Sequence, residues 1–207
     1  MPYRQLLCGF YGEDTTDTRY FPILQRYVDK VCRKKGIDAD IFEVLANVPK
    51  VTGQSFIEEM REVEKAFAGL ELIFVHLDAD SRSSQQVLTN KWQPWLETCN
   101  DPRIWLPIIP VKMLESWLLA DKMALEETFI ITSQDLDVCL SNMHPERLPA
   151  PKDTLRDIQK RGKQKRTRGF ERLLAQRTRF TELEKLISFR EFAKQIEDYF
   201  EHWQSTF

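Results

Sequence analysis

The most constraining feature of the sequence is a short run, ELIFVHL (71–77), in which almost every residue is apolar. A strand with one solvated face alternates apolar and polar side chains, whereas a strand covered on both faces is apolar throughout. Only His76 interrupts the apolar core of this run, so we expect a β-strand that is buried on both sides. Strands of this kind occur in parallel sheets with helices on both faces, which predicts an α/β protein.

The flanking segments extend this pattern into an alternation of strands and helices. Apolar strand candidates at 3–10, 37–48 and 103–111 are separated by segments whose apolar residues recur at helical spacing. The predicted order is βαβαβαβα, with one helix that continues to the neighbourhood of Pro94 and a single helix over 111–129. We therefore expect a Rossmann-like, mainly parallel sheet flanked by helices.

The pattern changes after residue 130 to shorter polar helices separated by turn residues. The closing segment SFREFAKQIEDYFEHW (188–203) has the apolar spacing of an amphipathic helix. We predict an α/β core over 1–130 and a helical extension over 131–207 that packs on this core.

Acidic residues follow three of the predicted strands, at the ends where open α/β sheets bind ligands. Glu13 follows the first strand, Asp78 and Asp80 follow the third, and Glu115 follows the fourth near the start of a helix. Residues two apart along a strand point the same way, so Asp78 and Asp80 can face one cation. Oxygen-rich sites of this type suit Mg²⁺ or Mn²⁺.

Each of these acids also has a purely structural interpretation. The Asp78–Asp80 segment could be a solvated turn that caps the next helix, Glu13 could cap a helix, and Glu115 could pair with Lys112 or Arg82. The sequence favours a hydrogen-bonded core histidine over a catalytic base for His76. It favours a helix cap over a metal ligand for Asp121.

Five motifs, taken in order along the chain, resemble a known family. They are GEDTTDTRYFPIL, HLDAD, PVKMLESWLLAD, PAPKDTL and SFREF. An acid after the first strand and a later strand that ends in DxD resemble the Toprim fold of topoisomerases, bacterial primases and OLD-type nucleases. The ordered set is similar to a group of small Toprim-like proteins found beside ATPases in bacterial defence loci.

The resemblance implies a metal-dependent nuclease with a site formed by four acids. In this interpretation Glu13 is a metal ligand or general base, Asp78 and Asp80 hold Mg²⁺ or Mn²⁺, and Glu115 completes the site. Such a protein would be an effector of an anti-phage defence or toxin-type system, controlled by a partner ATPase. One departure from the usual Toprim signature is that Gly12 precedes Glu13 instead of following it.

Basic residues are concentrated between Arg147 and Phe180. This segment contains twelve Lys or Arg and three acidic residues, a net charge of +9, whereas the rest of the chain carries −11. Such a split is typical of a surface that follows a phosphate backbone, and a solvated basic loop has the same composition. The candidates for nucleic-acid binding are Lys152, Lys163, Lys165, Arg166 and Arg168.

Composition excludes several classes of protein. No apolar run reaches the length of about 18 residues that a membrane span requires, and the first residues lack the pattern of a signal peptide. The four cysteines form no CxxC pair and no cluster with histidine, which predicts free thiols instead of a zinc site or disulfides. We expect a cytoplasmic protein without a membrane partner.

Two functions from different classes fit these observations. The first is a nuclease that hydrolyses phosphodiester bonds in DNA or RNA with Mg²⁺ or Mn²⁺. The alternative is a catalytically silent Toprim-like subunit that binds nucleic acid or nucleotide and regulates a partner ATPase. The four acids favour the enzyme, and the displaced Gly12 favours the silent subunit.

Overall fold

A computed structural model provides the structure of this chain. It describes residues 4–12, 19–43, 53–66, 69–79, 83–102, 105–111, 114–163 and 169–205. Four strands are present in these ranges: β1 (Arg4–Tyr11), β2 (Ile37–Glu43), β3 (Leu72–His76) and β4 (Trp105–Ile108).

Helices occupy most of the remaining described residues. The first six are α1 (Phe21–Lys35), α2 (Phe56–Ala66), α3 (Ser84–Val87), α4 (Gln93–Leu96), α5 (Glu115–Leu118) and α6 (Lys122–Phe129). The C-terminal part contains α7 (Ser133–Leu140), α8 (Pro151–Arg161), α9 (Phe170–Arg177), α10 (Phe180–Leu183) and α11 (Ile187–Ser205).

The four strands form one sheet in the order β2-β1-β3-β4, and every neighbouring pair is parallel. Helices cover both faces of this sheet. The predicted α/β class, the parallel sheet and the helical C-terminal part are therefore confirmed. The division into two domains at residue 130 stays a prediction.

Alternate residues of the strands enter two separate hydrophobic clusters. Phe10 and Phe74 pack on one face with α1, α11 and other helices of the C-terminal part. Ile73 and Val75 pack on the opposite face with side chains of α2 and α4, including Trp95. The larger cluster combines residues from before and after residue 130, because α11 lies against α1 and β4.

The helix predicted to continue to Pro94 is present but changes register along its length. A π-helical turn at Leu88–Trp92 joins α3 to α4, and the Gln93 N–H bonds to the carbonyl of Leu88. Pro94 then lies in the first turn of α4, where its missing N–H needs no intrahelical acceptor. Trp92 and Trp95 both reach the core as a result.

The prediction of a single helix over 111–129 is wrong, because the structure has two helices there, α5 and α6. Asp121 is the reason for the break: its backbone is extended and its side chain accepts a hydrogen bond from the N–H of Ala124. The prediction that Asp121 caps a helix is confirmed. No helix in the described ranges has the length and apolar character to cross a membrane.

Candidate functional site

The sheet order creates a switch point between β1 and β3. The chain leaves β1 towards β2 on one side and later returns to β3 on the other side. In open α/β sheets the crevice at such a point, beyond the carboxyl ends of the strands, is the usual ligand site. Tyr11, the last residue of β1, is the register partner of Val75 in β3.

Asp78 lies beyond the carboxyl end of β3. The residue before it, Leu77, is fixed by a hydrogen bond from its backbone N–H to the carbonyl of Ile108. This bond extends the pairing of β3 with β4 past His76. The next residue, Ala79, is fully buried. The Asp78 side chain is 37% exposed, so it can reach solvent and a ligand.

His76 contacts the carboxylate of Asp78 from within the core. Its side chain is 1% exposed, and its Nε2 atom lies 3.2 Å from Oδ1 of Asp78. A histidine so completely buried cannot meet a substrate in solvent directly. The contact places a buried imidazole beside one oxygen of the Asp78 carboxylate.

Glu13 and Asp80 lie outside the described residues. Among the residues that the structure describes, no group of three or more His, Cys, Asp or Glu side chains is arranged to hold a metal ion. Two of the four predicted ligands, Glu13 and Asp80, are not among these residues. The predicted metal site therefore stays a prediction.

Glu115 and Lys152 line the same cleft, although they are 37 positions apart in the sequence. The cleft has a volume of about 70 Å³ and lies where α5, α8 and α9 meet the residues that precede α1. Asp78 is not among the described residues that line it. Further lining residues are Arg19, Tyr20, Leu155, Arg156, Phe170 and Glu171.

The charged side chains of the cleft differ in how they are paired. The Arg19 guanidinium donates to Glu171 at 2.9 Å, and Arg156 forms an exposed pair with Asp153 at 3.2 Å. Glu115 and Lys152 form no ion pair or side-chain hydrogen bond with any residue in the described ranges. The predicted pairing partners of Glu115, Lys112 and Arg82, are outside those ranges.

Sequence reasoning missed most of this cleft. Arg19 and Glu171 are separated by 152 residues, and only the packing of α9 against α1 brings them together. No local spacing could indicate such a pair. Arg156 belongs to the basic segment, but nothing in the sequence indicates that it lines a cleft while Lys160 and Arg161 of α8 do not.

The basic segment is described only in part. Lys163 is exposed, and its backbone N–H bonds to the carbonyl of Ile130 at 3.4 Å. Lys165, Arg166 and Arg168 are outside the described residues. In the sequence they directly precede Gly169 and Phe170, and Phe170 lines the cleft.

A buried hydrogen-bonded chain joins two of the motifs that carry the family resemblance, through Glu146, which lies outside the five motifs. The indole N–H of Trp117 donates to the hydroxyl of Ser188 at 2.9 Å, and that hydroxyl donates to Glu146 at 2.6 Å. The Glu146 carboxylate also accepts the backbone N–H groups of Ile187 and Ser188, each at 2.8 Å. It thereby satisfies N–H groups at the start of α11 that have no partner within the helix.

A second buried carboxylate, Asp121, holds α10 against α6. Its side chain is fully buried and accepts two hydrogen bonds from the Arg179 guanidinium, both at 2.7 Å, and one from the Arg179 backbone at 2.9 Å. Burial alone would raise the pKa of Asp121, but the hydrogen bonds from Arg179 and from the Ala124 N–H outweigh it and lower this pKa. Asp121 thus remains ionised inside the protein.

The cysteines are free thiols, as predicted. Cys8 and Cys32 are buried, whereas Cys99 and Cys139 are partly exposed. Burial raises the pKa of the Cys32 thiol to about 12 and raises that of Cys8 further. Neither buried thiol is a nucleophile at neutral pH.

The chain matches no protein-family profile, and comparisons with curated proteins and with solved structures give no significant match either. The Toprim-like group is therefore a resemblance of ordered motifs. The sheet order and the position of Asp78 are the structural facts on which a functional proposal can be based.

Proposed function

We propose that this protein is a Toprim-type nuclease that hydrolyses phosphodiester bonds with Mg²⁺ or Mn²⁺. The observation that carries the proposal is the adjacency of β1 and β3 in a parallel sheet. This adjacency brings the carboxyl end of the strand before Glu13 next to the carboxyl end of the strand before Asp78. Strands on opposite edges of the sheet would have excluded a shared site.

The two acids outside the described residues follow these strand ends closely in the sequence. Glu13 comes two residues after Tyr11, the last residue of β1, and Asp80 comes two residues after Asp78. Their proximity in the sequence to the switch point supports the proposal that both belong to the site.

The donor chemistry suits the proposed ion. Asp78 supplies a partly exposed carboxylate beside the buried His76, and carboxylate oxygens are the ligands that hard cations prefer. In the proposed site Glu13, Asp80 and Glu115 supply the other carboxylates. A bound divalent ion would activate water and stabilise charge on the attacked phosphate.

The chain's own residues then have separate tasks. Glu13 takes a proton from the attacking water or shares in holding the ion. His76 lies beneath the Asp78 carboxylate, with its Nε2 atom 3.2 Å from one oxygen, and has no direct part in the reaction. Lys152, Lys163, Lys165, Arg166 and Arg168 attract the phosphates of the substrate strand. No side chain needs to act as a covalent nucleophile.

The proposed context is that of an effector in a bacterial defence or toxin-type system, acting in the cytoplasm and controlled by a partner ATPase. Support for this context is the resemblance of the five ordered motifs. DNA and RNA are both candidate substrates, because contacts to phosphate do not distinguish them.

Substitution of Asp80 tests the proposal. We expect Asp80→Ala to abolish divalent-ion-dependent cleavage of labelled single-stranded DNA, double-stranded DNA and RNA, because it removes a ligand. The loss should be about a hundredfold or more. Thermal unfolding of the variant should match that of the parent, since the proposed role of Asp80 is to bind the ion and not to stabilise the fold.

The matched control is Asp38→Ala. Asp38 is also an exposed acid of the sheet, but it lies at the amino end of β2, away from the switch point. The Asp38→Ala variant should cleave the three substrates at the rate of the parent. If Asp80→Ala cleaved at the parent's rate, or if both substitutions reduced cleavage equally, the assigned site would be wrong.

The alternative is a catalytically silent subunit that binds nucleic acid or nucleotide and regulates a partner ATPase. The order Gly12-Glu13 favours it, because the usual Toprim signature places glycine after the acid. Binding without cleavage of any of the three substrates in Mg²⁺ or Mn²⁺ would support this alternative.

A further inference from the structure

The cleft between α5, α8 and α9 contains a cation and an anion that face the same small space without pairing. Lys152 and Glu115 both line this space, yet neither forms an ion pair with any residue of the described ranges. Two opposite charges at a protein surface would normally gain from direct contact. Their separation leaves room for a third group between them.

The other charges of the cleft leave its basic side free to bind an anion. Glu171 is neutralised by Arg19, and its side chain is only 14% exposed in that pair. The partner of Arg156, Asp153, is 70% exposed, so that ion pair is weak and exchangeable with solvent. Lys152 and Arg156 lie four residues apart on α8, hence on the same side of the helix.

The size of the space limits what can enter. A volume of about 70 Å³ corresponds to about two water molecules, which is enough for a phosphate group but not for a whole nucleotide. One phosphate of a nucleic-acid strand therefore fits this space, whereas the attached sugar and base do not.

We propose that this cleft binds a single phosphate group of the nucleic-acid strand, with Lys152 and Arg156 as its donors. The identity of the ligand as a nucleic acid rests on the proposed function. Glu115, which lines the same cleft, repels the phosphate when no metal is bound. The cleft is thus an anchor for substrate that acts before any metal-dependent step.

Binding without metal separates this proposal from the nuclease. We would measure the fluorescence anisotropy of labelled oligothymidylate at low salt in EDTA, with one oligonucleotide bearing a 5′ phosphate and another with hydroxyl groups at both ends. Lys152→Ala should weaken binding about tenfold, because it removes a charge-assisted hydrogen bond to phosphate. Glu115→Gln should strengthen binding several-fold, since it removes a like charge.

Lys160→Ala is the matched control. Lys160 is exposed on the same helix and carries the same charge, but it pairs with Asp157 at 2.9 Å and does not line the cleft. Its substitution should weaken binding less than about threefold. Thermal unfolding of all three variants should match the parent, because Lys152 and Lys160 are exposed and Glu115 is partly exposed.

The two oligonucleotides identify which phosphate is bound. If Lys152→Ala removes a preference for the 5′-phosphorylated strand, the cleft binds a terminal phosphate; if it weakens both strands equally, the cleft binds an internal one. Equal losses in Lys152→Ala and Lys160→Ala, or weaker binding by Glu115→Gln, would overturn the proposal. The binding measurements are made without metal, so they test the phosphate site independently of catalysis. A separate finding that the protein does not cleave nucleic acid in Mn²⁺ would count only against the proposed nuclease.

Discussion

At the scale of single residues, the buried carboxylates Glu146 and Asp121 explain much of what the sequence motifs mean. Both lie in or beside motifs that resemble a family, and both accept several hydrogen bonds between distant segments. A buried carboxylate is costly unless it is paired or fully hydrogen-bonded. A sequence motif can therefore reflect a structural requirement, namely a buried hydrogen bond between distant segments, without containing a functional residue.

Glu146→Gln should lower the free energy of unfolding by about 1–3 kcal/mol, because an amide cannot accept all three hydrogen bonds that Ile187 and Ser188 donate. Urea unfolding would measure the change. Glu191→Gln, an exposed acid on α11, is the control and should change stability by less than about 0.5 kcal/mol. Equal stability of the two variants would show that Glu146 does not anchor α11.

Gly162 is needed for the close approach of α8 to α6. A Cβ atom at this position would lie 2.4 Å from the carbonyl oxygen of Phe129, which is backbone and cannot move aside. We expect Gly162→Ala to destabilise the fold by about 1–3 kcal/mol, measured by urea unfolding.

Gly36→Ala provides a comparison of a different kind. Gly36 ends α1 with a φ of +68°, and nothing lies within 4 Å of a Cβ built there. Gly36→Ala should lower the free energy of unfolding by about 1 kcal/mol, because alanine disfavours this left-handed backbone conformation. If Gly162→Ala were as stable as the parent, the two helices would have room to separate.

At the scale of elements, the sequence predicted strands and long amphipathic helices well because their signals are local. The run at 71–77 and the helix ending at Gly36 needed only periodicity and a stop residue. The break in the predicted helix over 111–129 was not predictable from periodicity. It depends on Arg179, which lies 58 residues after Asp121 and makes its buried position favourable.

The pair of Asp121 and Arg179 predicts a specific response to acid. The pKa of Asp121 is lowered in the folded protein, so its contribution to stability is present above the unfolded value of 3.8 and is lost as pH falls through the folded pKa. Asp121→Asn should therefore be less stable than the parent at pH 7, by about 2 kcal/mol. The difference between the two should shrink below about pH 4.

Urea unfolding at several pH values between 7 and 2.5 would measure this difference. Asp157→Asn is the control, because Asp157 forms only an exposed pair with Lys160. Its stability should follow that of the parent at every pH. A constant gap between Asp121→Asn and the parent would mean that the carboxylate is not stabilised in its charged form.

At the scale of the whole molecule, sequence alone predicted the class of the fold and the ends of the strands where acids occur. It did not determine that β1 pairs with β3, because strand order depends on contacts between distant segments. The cleft was beyond reach for the same reason, since Arg19, Glu115 and Glu171 come from three separate parts of the chain. The position of Asp78 just after β3 was predictable, because its signal is local.

The uneven distribution of charge predicts binding that depends on salt. Replacing Lys163, Lys165, Arg166 and Arg168 together by Gln should flatten the dependence of log K on log salt for single-stranded DNA. The slope should fall by about 0.7 for each phosphate contact that is lost. Anisotropy titrations between low and moderate salt would measure it.

The control replaces four basic residues outside this segment, Lys122, Lys185, Arg190 and Lys194, all of them exposed. The net charge changes equally, so a general electrostatic effect would flatten both slopes alike. An unchanged slope in the first variant would show that the basic segment does not contact the strand.

The packing of α11 against α1 has a consequence for how the chain folds. Tyr27 of α1 lies with its ring centroid 5.2 Å from that of Phe189, and Phe192 of α11 reaches Phe74 in the sheet. The chain between Tyr27 and Phe189 loses conformational entropy when these residues meet, and the stabilising contacts form only afterwards. The docking of α11 on α1 should therefore be a late step of folding. While the ribosome is still making the C-terminal segment, α1 covers this face of the sheet only in part, and the apolar side chains that α11 later buries are a target for chaperones that bind apolar surface.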